Sequence, residues 1–152
     1  PLLFHLLTYR MHIVDAHFML QKEVVDRLCA APGNKSFGRL TIMLGCQMEV
    51  VPLFEVPPDA FTPPPKVTSA IIRMRPIPDP GYAVQDADVL ADIVRTAFSQ
   101  RRKTLRNALQ GKASSDDLEA VSITASDRPE QVSIAAWVKL ANHLADVQMN
   151  SN

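Results

Sequence analysis

Cysteine is scarce in this chain: two among 152 residues, Cys29 and Cys46, with no Cys-x-x-Cys spacing. That argues against a disulfide framework and a thiolate zinc site, and the expectation is two buried free thiols. Glycine is nearly as sparse, at five. No Gly-rich phosphate or dinucleotide loop can be found, so a cofactor site built from these residues alone is not expected. The four histidines, His5, His12, His17 and His143, are scattered without His-x-x-x-His spacing, which argues against a metal site. No Gly-x-Ser-x-Gly element suggests a hydrolase. No apolar run approaches the roughly 20 residues that span a bilayer, and the opening PLLFHLL lacks the basic flank and cleavage site of a signal peptide. Charge excess is lacking too: 16 basic side chains balance 16 acidic ones, so net charge does not point to a polyanionic partner. The chain opens on Pro1 rather than Met, and the expectation is that sequence upstream is missing.

Apolar residues make up 47% of the chain, enough to bury a real core. The spacing predicts a short buried helix over 1–11, with Pro1 in its first turn. A strand is expected over Ala16–Leu20, helices over Lys22–Ala31 and Phe37–Cys46, and a strand over Glu49–Val56, where Pro52 implies an edge or a bulge. Thr68–Arg75 alternates, with Ala70, Ile72 and Met74 on one face. The order αβααββ is an α/β pattern ending in an antiparallel pair. Pro76–Gly81 reads as a linker by composition. Beyond it everything is helical: an apolar face from Val89 to Phe98, a second helix through Leu105 and Leu109, and a capping box from Ser114 to Asp117. Ser133 is the expected N-cap of a last helix striped by Ile134, Trp137, Leu140, Ala141 and Leu144.

Two stretches stand out. Phe61–Arg75 reads FTPPPKVTSAIIRMR, with three prolines between an aromatic residue and a strand. Proline fixes the backbone without internal hydrogen bonds, so Pro63, Pro64 and Pro65 can hold Phe61 at the end of a sheet. Two readings stay open: an exposed ring that stacks on a nucleobase, or a core aromatic beside a proline bridge. The other stretch is RRKTLR, with Arg101, Arg102, Lys103 and Arg106 inside six residues. On a helix Arg102 and Arg106 share a face and repel. A phosphate-rich partner would relieve that repulsion; the alternative is a plain solvated helix face.

FTPPPKVTSAIIR resembles the Phe-x-Pro-x-Pro-x-Val-x-Ser signature of the rRNA adenine N6-dimethyltransferases. LQKEVVDRL (20–28), FGRLTIM (37–43), AFSQRRKTLRNAL (97–109) and RPEQVSIAAW (128–137) resemble further stretches of that family, in the correct order. The basic stretch is closest to the bacterial small-subunit branch, rather than to the relatives that modify large-subunit rRNA. Phe37 stands where family members usually have Tyr, and Gly45 where many have Gln.

The resemblance implies an α/β fold, namely the C-terminal part of a class I, Rossmann-like methyltransferase sheet followed by a small all-helical domain. Its boundaries are 1–77 for the catalytic portion, 78–85 for a linker and 86–152 for the rRNA-binding domain. S-adenosylmethionine is the implied cofactor of the parent enzyme, its motifs lying upstream of residue 1. The implied partner is small-subunit rRNA in the immature ribosomal subunit, in the cytoplasm, with no metal and no membrane. By the same resemblance Phe61 stacks on the target adenine, Pro63, Pro64 and Pro65 wall the pocket, and Arg101, Arg102, Lys103 and Arg106 engage the rRNA backbone. Lys66 adds a phosphate contact. The competing expectations are a non-catalytic RNA-binding or ribosome-assembly module that uses only the basic helix, and an organellar transcription-factor relative that binds DNA. On this reading the 152 residues alone do not methylate and do not bind S-adenosylmethionine. Isothermal titration calorimetry should register no micromolar binding; a micromolar dissociation constant contradicts the reading.

Overall fold

A computed structural model describes residues 2–150 of the chain; Pro1, expected in the first helical turn, lies outside them. Three strands, β1 (Ala16–Gln21), β2 (Met48–Val56) and β3 (Ser69–Pro76), form one sheet in the order β1-β3-β2. Both outer strands run antiparallel to β3, so β1 and β2 point the same way on either side of a reversed strand. The sheet slips register between Pro52 and Phe54. Pro52 thus lies on an edge strand and beside a bulge, the two places where a missing backbone donor is tolerated.

Alternation along β3 sends Ala70, Ile72 and Met74 to one buried face. They meet Val25 and Leu28 of α2 (Lys22–Leu28), Leu44 of α3 (Arg39–Gly45) and Met48. The expected helix over 1–11 is α1 (Leu2–Thr8) followed by a 3-10 turn at Arg10–His12. It is not a buried helix: among its described residues none is buried. Leu3 and Leu7 pack on the sheet core, while Leu2 and Phe4 turn outward.

A second core joins α4 (Ala87–Ser99), α5 (Leu105–Ala108), α6 (Ser115–Ala120) and α7 (Ile134–Asn150) around Leu90, Val94, Leu105, Leu118, Trp137 and Leu140. Fully burying each large apolar side chain contributes about 1.5–3 kcal/mol. The caps explain where these helices begin. The Asp86 carboxylate accepts from the N–H groups of Asp88 and Val89 ahead of α4, and Ser133 Oγ accepts from the N–H of Ala136 ahead of α7. Helix α3 contributes to both cores, with Ile42 and Met43 in the helical cluster and Leu44 in the sheet cluster. Gly45 lets α3 approach α7, since a Cβ there would lie 2.7 Å from Ile134 Cδ1.

Two further expectations need correction. Cys46 is buried, but Cys29 is exposed, because it caps α2 where the chain leaves the core. The RRKTLR run is not a helix face. Helix α4 stops at Ser99 and α5 starts at Leu105, so Arg101, Arg102 and Lys103 occupy the turn between them and only Arg106 is helical. Crowded like charges are better dispersed in a turn than stacked along a helix.

Among the described residues β1 pairs with β3 alone and leaves its other edge open. It carries no Lys or Pro, and Met19 is exposed. Such an edge templates pairing with another copy. Light scattering of these 152 residues alone should show dimers that grow with concentration and that Met19→Lys shifts toward monomer; a monodisperse monomer at high concentration contradicts this.

The Ser114 capping box yields a pH prediction. Asp117 accepts from Ser114 Oγ at 2.6 Å and from its N–H at 2.8 Å, and contacts His143 Nε2 at 2.9 Å. The Ser114 hydroxyl, its backbone N–H and His143 hold the Asp117 carboxyl below its ordinary 3.8. A depressed carboxylate stabilises the fold above its unfolded value and loses that contribution as pH falls through the folded one. Asp117→Asn should therefore lower the melting temperature at pH 7, with the difference from the parent closing below about pH 3.8. A pH-independent difference contradicts the assignment.

Candidate nucleic-acid interface

The segment 57–68 joins β2 to β3, and the register places its root beside Val56, Ser69 and Gln21. It therefore emerges at the carboxyl ends of β1 and β2, the side of an open α/β sheet where ligands bind. Lys22, first residue of α2, pins that root. Its N–H donates to the Thr68 carbonyl at 2.9 Å, and its ammonium lies 3.0 Å from Asp26 and 3.3 Å from Glu55. Both carboxylates, Asp26 first, raise the Lys22 pKa.

Beyond that root the chain makes a 3-10 turn at Pro58–Ala60, and Phe61 follows in extended backbone, its N–H donating to Pro58 O at 3.2 Å. The Thr62–Pro63 peptide is cis. Phe61 is half-buried, whereas Pro63, Pro64, Pro65 and Lys66 are exposed. The ring is thus neither sealed in the core nor fully free.

The basic residues divide by environment. Arg102 and Lys103 are exposed, and among the described residues neither forms an ion pair. Arg106 Nε donates to Ser115 Oγ at 3.1 Å. Arg101 is held: its Nε lies 3.5 Å from Glu130 Oε2, an Nη donates to Asn34 O at 3.4 Å, and the guanidinium sits 6.0 Å from the Phe98 ring centroid. Arg101 also lines an open cavity of about 760 Å³ with Arg27, Lys35 and Arg39, alongside the carboxylates Glu23 and Asp26. Reading only contiguous runs misses Arg27, Lys35 and Arg39, which come from α2, a loop and α3. The signal that could have found them is their placement in LQKEVVDRL and around FGRL.

S-Adenosylmethionine does not fit the residues present. None of the five glycines stands at the carboxyl end of β1 or β2, and the positive-φ glycines are Gly33, Gly81 and Gly111. No turn there lets the backbone close around a cofactor.

A reversed strand between two co-directional strands, with helices behind it, corresponds to the C-terminal part of a class I methyltransferase-like sheet, here followed by a helical cluster. The solved structure of a dimethyladenosine transferase from Plasmodium falciparum matches 99% of this chain with a TM-score of 0.81 at 24% identity, over 62% of that chain. The 23S rRNA methyltransferase ErmE matches 92% of this chain and 59% of its own, with a TM-score of 0.59 at 21% identity. The family model described as ribosomal RNA adenine dimethylase matches residues 1–146, and the chain belongs to that family. Among curated relatives, Ribosomal RNA small subunit methyltransferase A of Shewanella loihica is 52% identical over 146 residues, 96% of this chain and 54% of the relative. The protein of the same name from Pseudomonas aeruginosa is 51% identical over 150 residues, 99% of this chain and 56% of the relative. The chain spans about half the length of the curated relatives it matches.

Arg102 and Lys103 should each act as a free cation toward RNA. Replacing either by Ala should flatten the plot of log affinity against log salt by about 0.7–0.9. An unchanged slope in filter binding contradicts that role.

Proposed function

We propose that these residues are part of an S-adenosylmethionine-dependent rRNA adenine N6,N6-dimethyltransferase. The whole protein would modify two adjacent adenines near the 3′ end of small-subunit rRNA, within the immature small ribosomal subunit in the cytoplasm. The observation that carries the reading is the Phe61–Pro65 segment rooted at the carboxyl ends of β1 and β2, in a chain whose family is that of the ribosomal RNA adenine dimethylases.

The chemistry explains why such a segment is useful. The N6 lone pair of adenine is delocalised into the ring, so the amine is a weak nucleophile and rate depends on placing it accurately. The target base must leave its stack to be reached, and unstacking is costly. Stacking on Phe61 returns about 1–3 kcal/mol. Pro63, Pro64 and Pro65 limit the freedom of that ring, and Lys66 meets a nearby phosphate. The cofactor supplies an electrophilic methyl group, and it is bound by portions of the protein other than these residues. Arg101, Arg102, Lys103 and Arg106, with Arg27, Lys35 and Arg39 across the cavity, hold the rRNA backbone. The division of labour runs along the chain: residues 1–77 belong to the catalytic portion, 78–85 link, and 86–152 bind rRNA.

Phe61→Ala in the full-length protein separates this reading from a binding-only module. Methylation of immature small subunits should fall about tenfold to a hundredfold, as loss of one stack implies, with subunit binding nearly unchanged. Undiminished methylation sinks the stacking role.

A further inference from the structure

Among the described residues Glu130 is the one carboxylate paired with Arg101, and it meets the interface at two points. Its backbone carbonyl accepts the Gly33 N–H at 2.7 Å. Gly33 has φ +87, a conformation that favours glycine, so the loop can turn back toward Glu130 there. Its carboxylate oxygen Oε2 is sealed from solvent, makes no hydrogen bond, and has the Arg101 Nε as its neighbour at 3.5 Å. A desolvated carboxylate oxygen without a hydrogen bond is unfavourable unless a cation stays beside it. The pairing therefore constrains Arg101 as strongly as it relieves Glu130. With Nε facing Glu130 and one Nη on Asn34 O, the guanidinium is fixed in orientation beside Phe98. Arg102 and Lys103 have no such partner.

We infer that Glu130 is a positioning residue, which orients the Arg101 guanidinium for an rRNA phosphate; this rests on the proposed role of Arg101 in binding rRNA. The arginine fork bonds phosphate in a plane, and its value depends on being held in one plane beforehand.

The test exploits a conflict of sign. Glu130→Gln removes a negative charge, so the field alone predicts tighter binding to RNA. Positioning predicts the reverse. Filter binding of the chain to immature small ribosomal subunits, across a salt series, should show Arg101→Ala weaker, with the salt slope reduced by about 0.7–0.9. Glu130→Gln should weaken binding about threefold to tenfold, and should add nothing in the Arg101→Ala background. Arg101→Lys, which keeps the charge but cannot meet Glu130 through Nε, should bind as weakly as Glu130→Gln. Tighter binding by Glu130→Gln, an equal loss in both backgrounds, or parent-like binding by Arg101→Lys overturns the inference while leaving the role of Arg101 intact. An unaffected Arg101→Ala overturns both.

Discussion

Helix α3 is the member on which the rest of the architecture depends. Seven residues long, it lies between two hydrophobic clusters and gives side chains to each. Its start is fixed by Thr41, the one buried polar residue among those described. The Thr41 hydroxyl accepts the Gly38 N–H at 3.1 Å and donates to the Arg27 carbonyl at 2.5 Å. A buried hydroxyl with both capacities met stabilises, whereas one left unsatisfied costs about 1–3 kcal/mol. The bond to Arg27 also ties α3 to α2, whose first residue, Lys22, pins the root of the proline segment. At its far end Gly45 admits the Ile134 side chain of α7. The helical cluster and the root of the aromatic loop are thereby joined through close-packed contacts.

This coupling gives meaning to how the cations are distributed. Four basic residues close together in sequence become three kinds of group in space. Arg102 and Lys103 are free in a turn, Arg106 is hydrogen-bonded to a neighbouring helix, and Arg101 is held at a junction of three segments. Free cations give affinity that is strong at low salt and indifferent to orientation. A held arginine makes the same electrostatic contribution and adds a fixed orientation. On the proposed function both are needed: the first to find the RNA, the second to set its register.

Much of the fold was legible in the sequence because it rests on local signals. The alternation of Ala70, Ile72 and Met74, the Pro52 irregularity, and the caps at Ser114 and Ser133 each correspond to the structure, because each depends on neighbours within a few residues. The basic run forms a turn rather than a helix face, a break that no local signal between Ser99 and Leu105 announces. The α5 N–H groups of Leu105 and Arg106 donate instead to the distant carbonyls of Asp127 and Ala125. Cys29 is exposed although scarce, unpaired cysteines are usually buried, because the chain turns outward at that residue. Arg27, Lys35 and Arg39 lie in or beside motif stretches, but only the meeting of α2, the 31–38 loop and α3 brings them to one cavity. The motif around Phe61 was legible as a pattern, but its relation to the strand ends is a product of sheet order.

Magnitudes decide which contact can confer selectivity. Stacking on one aromatic ring is worth about 1–3 kcal/mol for any base, so Phe61 by itself cannot distinguish a target adenine from its neighbours. Each free cation adds affinity that is equally blind to sequence. On the proposed function, discrimination then comes from geometry: only a base whose flanking backbone reaches Arg101 while its ring reaches Phe61 would collect both terms at once. Two such contacts on one chain would behave as linked sites, the second becoming intramolecular with a high effective concentration. That advantage disappears if the body between them flexes. Burying the connecting helix on two sides, and closing its only buried hydroxyl with two hydrogen bonds, is therefore a condition for selectivity as much as for stability.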